Sequence, residues 1–156
     1  GDDSITGGSG GDTLRGGDGA DTLAAGDGAD SVEGGAGDDV VRFAIDALTS
    51  ADTVAGGDGT DAIAFTTAGS LADADLDNVS TLERLELADG LAGIGAENTV
   101  TLGAHAETAG IVDVQGGSND DVIDATAYTT GLTVSGGLGD DSITGGSGGD
   151  TLRGGD

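Results

Sequence analysis

The chain has no cysteine, proline, methionine, tryptophan or lysine among its 156 residues, and only two phenylalanines and one tyrosine. Each absence excludes something. Without cysteine there are no disulfides and no thiolate metal sites, which leaves carboxylates and carbonyls, the oxygen ligands of hard cations such as calcium. With so few aromatic residues the core must be thin and aliphatic, and something besides packing must help to hold it. Basic residues are nearly missing: four arginines stand against 30 acidic residues, for a formal charge of −26. That balance excludes nucleic acid and anionic lipid as partners and points to a cation. No apolar run approaches the roughly 18 residues of a membrane-spanning helix. No secretory signal is read at the first residues, so any export address is expected elsewhere in a parent protein. The same high charge, with 34 glycines, leads us to expect a largely unfolded chain when no ion is bound.

What is present is repetition. Residues 1–18, GDDSITGGSGGDTLRGGD, return unchanged as residues 139–156. The identity defines a unit of 138 residues and the start of another, and we expect the chain to be one link of a longer tandem array. A shorter period lies inside. From Gly7 to Arg42 four nine-residue units follow without a gap: GGSGGDTLR, GGDGADTLA, AGDGADSVE and GGAGDDVVR. Each has glycine at its second and fourth positions, aspartate at its sixth and an aliphatic residue at its eighth. The unit returns as GGDGTDAIA at 56–64, after a partial SADTVA, and as GGSNDDVID, GGLGDDSIT and GGSGGDTLR at 116–124, 136–144 and 145–153.

Glycine suits backbone that other residues resist, so the first six positions read as a turn and the last three as a short strand. Alternation turns the eighth side chain inward and the seventh and ninth toward water. Two nonapeptides then close one coil. Coils stacked about 4.8 Å apart make a parallel β-solenoid with rows of Gly-Asp turns along both edges. Carboxylates so aligned repel one another, and a divalent cation between successive turns converts the repulsion into cohesion.

This pattern resembles the repeats-in-toxin (RTX) nonapeptide GGxGxDxUx, where U is a large aliphatic residue. The resemblance implies an all-β fold, a right-handed parallel β-roll whose turns bind Ca2+ through the sixth-position side chains and loop carbonyls. Carried over position by position, the implied ligands are Asp12, Asp21, Asp30, Asp39, Asp61, Asp121, Asp141 and Asp150, with Asp3 and Asp52 from partial copies. Ala25 replaces a first glycine, and Asn119 replaces a fourth-position glycine whose backbone conformation it must then tolerate. Fifth-position Asp2, Asp38, Asp120 and Asp140, and third-position Asp18, Asp27 and Asp58, read as solvated charge.

Residues 65–115 leave the nonapeptide and divide the chain into three sections, 1–64, 65–115 and 116–156. Strands are expected at Thr81–Leu87, Asn98–Gly103 and Gly110–Val114, with a similar one at Gly131–Gly136. They imply a wider β-helical section that continues the stack, with loops 66–78 and 88–97 bulging outward and a weakly signalled helix near 70–76. Strands of this kind between RTX blocks resemble bacterial S-layer and giant repetitive surface proteins. Gly7-Gly8-Ser9-Gly10-Gly11 matches a nucleophile elbow, but no helix follows it. His105, the single histidine, reads as a loop residue without a catalytic partner. Asp73, Asp75 and Asp77 imitate the start of an EF-hand but lack its sixth-position glycine and twelfth-position glutamate. Arg15, Arg42, Arg84 and Arg153 read as relief of carboxylate repulsion.

These readings imply no enzyme. The expected function is a calcium-binding structural module of a large secreted bacterial surface or matrix protein: an extracellular fibre, adhesin stalk or S-layer that rigidifies in calcium after type I export. Its partners are calcium and further copies of the unit, in tandem or end to end. At about 18 residues and 4.8 Å per coil, one unit is expected to extend an array by roughly 35–40 Å. The alternative is the calcium-binding export domain of a secreted protease, lipase or toxin, which gains nothing from a long exact repeat.

Overall fold

The computed structural model describes residues 1–89 and 97–156. Strand β1 (Ser4–Ser9) and β2 (Thr13–Asp18) make the first coil, β3 (Thr22–Asp27) and β4 (Ser31–Ala36) the second, and β5 (Val40–Phe43) and β6 (Thr53–Asp58) the third. The fourth coil holds β7 (Ala62–Phe65), β8 (Ser70–Leu71), a 3-10 turn at Asp73–Leu76 and β9 (Val79–Ser80). The fifth holds β10 (Arg84–Glu86), β11 (Asn98–Thr101) and helix α1 (Ala104–Ala109). Then come β12 (Asp113–Gln115) with β13 (Asp121–Asp124), β14 (Thr133–Gly137) with β15 (Ser142–Thr144), and finally β16 (Thr151–Gly155). The chain is a parallel β-solenoid of about seven turns. One eight-stranded sheet, β1-β3-β5-β7-β10-β12-β14-β16, runs its whole length. The opposite side is divided between β2-β4-β6-β9 and β15-β13-β11-β8, four strands each.

Register along the long sheet measures each coil. Ser4 pairs with Thr22, Thr22 with Val40, Val40 with Ala62, Ala62 with Arg84, Arg84 with Asp113, Asp113 with Thr133 and Thr133 with Thr151. The coils are thus 18 residues long at both ends and wider between, as expected of a β-helical section continuing the stack. Eighth-position side chains form the spine of the core: Leu14, Leu23, Val32, Val41, Val54, Ile63, Ile123 and Val134 are buried, and Leu85, Val100 and Val114 take the same place in the wide coils. The three aromatic residues, Phe43, Phe65 and Tyr128, are buried in the coils that need the most filling. Phe43 stands opposite Phe65 where shorter coils carry a first-position glycine or alanine.

Several expectations need correction. Strands do not stop at the ninth position: β2, β3, β4 and β6 continue through the next Gly-Gly to the third position, because a left-handed second glycine lets adjacent coils keep pairing. Gly35 has φ +124°, and a Cβ there would collide with the carbonyl of Gly17 one coil below. Residues 66–78 do not bulge; they supply β8 and the 3-10 turn, and Leu71 and Leu76 face the core. The expected strands 81–87 and 110–114 narrow and shift to β10 and β12. Most of the expected loop 88–97 lies outside the described residues. His105 sits on a helix, because Asp73, some 30 residues earlier, caps α1 by accepting the N–H groups of Gly103 (2.7 Å), His105 (3.2 Å) and Ala106 (3.0 Å). Gly110, left-handed at φ +104°, ends it. No helix among the described residues is long and apolar enough to cross a membrane.

The aromatic pair makes the middle coils depend on packing. Phe43→Ala should cost about 3–5 kcal/mol in urea unfolding at saturating calcium, whereas Val122→Ala, on an exposed position of β13, should stay within about 0.5 kcal/mol.

Candidate calcium sites

Sixth-position residues stack into three files. Along the long sheet the backbone N–H of Asp3 donates to Asp21 Oδ1 (2.7 Å), that of Asp21 to Asp39 Oδ1 (2.8 Å) and that of Asp39 to Asp61 Oδ1 (2.8 Å). At the other corner Asp12 N–H donates to Asp30 Oδ1 (2.9 Å) and Asp30 N–H to Asp52 Oδ1 (2.8 Å). In the C-terminal half Asp121 N–H donates to Asp141 Oδ1 (2.9 Å). One carboxylate oxygen of each residue therefore binds the coil before it. The other oxygen is buried and unpartnered in Asp12, Asp21, Asp30, Asp39, Asp61 and Asp141.

First-position glycines keep the space beside these oxygens open. A methyl group at Gly7 would lie 2.5 Å from the Ala25 carbonyl oxygen of the next coil and 2.9 Å from Asp12 Oδ2. The same pair, a sixth-position Oδ2 and a carbonyl of the following coil, crowds that point at Gly16, Gly34, Gly56 and Gly136. Each site thus pairs a carboxylate with a backbone carbonyl from successive coils. Among the described residues, no three or more His, Asp or Glu side chains converge on one point, so most donors to a cation here would be carbonyls. An all-oxygen set of mixed carboxylates and carbonyls suits calcium.

Burial pushes the carboxyls of Asp39, Asp61 and Asp121 above the ordinary range. Hydrogen bonds oppose that rise, while the neighbouring Asp21 for Asp39, Asp39 and Glu83 for Asp61, and Asp141 for Asp121 add to it. Without a cation the files are charge held against its preference.

This chain matches the family model of the RTX calcium-binding nonapeptide repeat in four copies, at residues 1–23, 6–41, 44–65 and 133–156, together more than half its length. It belongs to the RTX calcium-binding repeat family. No curated protein and no solved structure matches the chain. The RTX roll is a structural calcium-binding repeat, and its calcium fits the orphaned oxygens described above.

The aspartates named from the sequence do not all stand alike. Asp3 is exposed at the first coil. Asp52 Oδ2 already accepts the Thr49 N–H (2.9 Å) and hydroxyl (3.3 Å). Asp121 has its oxygens on the Asn98 amide (2.7 Å) and the Gly117 N–H (3.1 Å), and Asp150 has its own on the N–H groups of Leu132 (3.0 Å) and Gly146 (3.0 Å). Asn119 does not adopt the left-handed backbone expected of it, because the 116–121 loop takes another path. Fifth-position aspartates are not merely solvated: Asp2, Asp38 and Asp120 accept the N–H of Ala20, Thr60 and Asp140, each in the next coil. Two file members escaped the nonapeptide pattern. Glu83 accepts the Asp61 N–H (2.8 Å), and Asn98 pairs in register with Asp121. The spacing alone could have found both, since each lies two residues before a core aliphatic, Leu85 and Val100.

Asp73 holds no EF-hand. Burial raises its carboxyl, but the α1 N–H groups and His105 outweigh burial and bring it below the ordinary value, while Asp75 Oδ2 accepts the Ala72 N–H (2.9 Å). His105 lies between Asp73 (2.8 Å) and Asp77 (3.4 Å). Ninth-position Arg15 pairs with Glu33 one coil on (3.1 Å) and Arg84 with Asp113 (3.0 Å), as expected of charge relief.

Groups whose carboxyl pKa is raised on folding favour the folded form below the unfolded carboxylate range, and that favour is lost as pH rises through their folded values. In calcium-depleted buffer, acidification from pH 7.5 to about 4.5 should therefore recover strand signal in circular dichroism. At that pH the calcium midpoint should rise, because protons and calcium compete for the same oxygens.

Proposed function

We propose that this chain is a calcium-rigidified structural unit of a large secreted bacterial surface or matrix protein, repeated in tandem as a fibre, adhesin stalk or surface lattice. The observation that carries the reading is the file of buried, unpartnered carboxylate oxygens. A folded chain at neutral pH in the absence of a cation must bury these charges unpaired, which is costly. Millimolar calcium outside a cell fills RTX-type loops of extracellular affinity, about 10⁻⁴–10⁻³ M, and cytosolic calcium does not. Type I export as an unfolded chain followed by folding in calcium follows from that difference. The 138-residue identity favours a fibre over the export domain of an enzyme, since each added copy extends reach.

In this reading Asp12, Asp21, Asp30, Asp39, Asp61 and Asp141 supply calcium ligands through Oδ2, while Asp52, Asp121 and Asp150 serve chiefly to hold their loops. Asp30→Asn should lower the number of calcium ions bound at saturation in equilibrium dialysis. Asp52→Asn should leave that number unchanged while weakening the fold, because its amide would face the Thr49 donors. Asp21→Ala should broaden the calcium-induced folding transition and move it to several-fold higher calcium. Excess chelator should abolish the strand signal of the parent chain; a roll that persisted in chelator at neutral pH would sink the proposal.

A further inference from the structure

The two identical 18-residue segments do not occupy equivalent places. SIT of the first copy opens β1 in the long sheet, whereas SIT of the second is β15 in the opposite sheet. TLRGG of the first copy lies in β2, opposite the long sheet, whereas in the second it is β16 within the long sheet. From Ser4, register steps through Thr22, Val40, Ala62, Arg84 and Asp113 to Thr133 are six whole coils, and Ser142, the copy of Ser4, comes half a coil later. The unit is six and a half coils.

We infer that successive tandem units join through this shared segment as one continuous solenoid in which each unit is turned by about half a rotation relative to the last. This rests on the tandem reading above and specifies its geometry. The partner is a second copy, and the register supports the joint on both sides. Ile143 pairs with Ile123 below, and its copy Ile5 pairs with Leu23 above. Leu152 pairs with Val134 below, and its copy Leu14 pairs with Val32 above. Gly155 pairs with Gly137, and Gly17 with Gly35. Both strands of the segment thus have an in-register aliphatic partner on each side without any shift. Leu152 is 43 % exposed, whereas Leu14, covered by the next coil, is 2 % exposed. Arg153 would meet the next unit's Glu33 as Arg15 meets it here. The long sheet then continues into β4-β6-β9 of the next unit, and the sheet ending in β15 continues into the next unit's β3-β5-β7. The advance per unit is about 31 Å at about 4.8 Å per coil, less than the 35–40 Å expected from 18-residue coils, because the middle coils are wider.

The native chain has no cysteine, so spin labels can be placed singly. A two-unit chain, residues 1–138 followed by 1–156, would carry Thr108→Cys on the exposed side of α1 in both units; a parallel sample would use Thr99→Cys on β11. With calcium, pulsed dipolar spectroscopy should give one narrow distance distribution for each pair, clearly longer than the axial advance of about 31 Å, because the labels lie on opposite sides. A narrow distribution near 31 Å for both pairs would place the units on the same side and overturn the half-turn. A broad distribution in a folded chain would overturn the continuous joint. Circular dichroism of the same samples separates these outcomes from failure of the calcium reading, which would show as no calcium-dependent strand signal.

Discussion

In a parallel stack held in register, whatever stands at one position of a coil stands over its own counterpart in the next, and here that position is an ionised carboxylate. Two such charges about 4.8 Å apart at an effective dielectric near 20 repel by about 3 kcal/mol. The core of a short coil offers little against this. Leu23 and Val32 are the principal buried side chains of the second coil, worth about 1.5–3 kcal/mol each before the cost of ordering the chain. Repulsion along two files is thus as large as the burial that would have to overcome it. The hydrogen bond from each sixth-position N–H to the next Oδ1 fixes register but leaves the charge in place. A cation lying among the orphaned oxygens turns that repulsion into attraction, which is why the nonapeptide coils depend on calcium.

The middle of the roll meets the same constraint in another way. Where the first position changes from glycine to Phe43, Phe65 and Leu87, the coils lengthen and an apolar filling replaces part of the ionic one. The acidic file along the long sheet reaches Glu83, and the next two coils have no acid in register with it. Helix α1 stacks beside β9, capped by Asp73 at a distance in sequence that a local signal does not carry. Ion-dependent coils at both ends and a packed section between them imply that calcium-free chains retain more order near 65–115 than in the flanking repeats.

The nonapeptide coils were legible because nine-residue periodicity, the inward eighth position and the glycine pairs all report one local geometry. Coil length, stacking and the sixth-position files follow from it. What was not legible depends on neighbours rather than on the segment itself. GGSGGD at 7–12 has left-handed Gly8 and Gly10 and an orphaned Asp12 Oδ2, whereas the identical residues 145–150 have neither, with Asp150 closed onto Gly146. The first copy is covered by the RTX turn 25–30 and the second rests on 125–130, whose Tyr128 carbonyl accepts the Ser147 N–H (3.0 Å). One sequence takes two turns because the adjoining coil is the template. The capping of α1 by Asp73 and the place of Asn98 beside Asp121 were hidden for the same reason.

A half-coil remainder also explains why the joint needs an exact repeat rather than a similar one. The segment must continue two different surfaces below, β13 and β14, and two others above, β3 and β4. It meets each of them with the same strands on exchanged sides, so any change in coil length or in the phase of its aliphatic positions would put one sheet out of register and turn its core residues to water. Near-symmetry of the two nonapeptides, SITGGS and TLRGGD, permits the exchange. The cost of asymmetry is confined to the middle coils, where α1 and the 3-10 turn mark one side of each unit. With a half rotation per unit these marks alternate along an array with a full period of about 62 Å at about 4.8 Å per coil. A stalk built this way distributes its one irregular surface evenly around the axis, so that no single side accumulates the features most able to bind a neighbouring array.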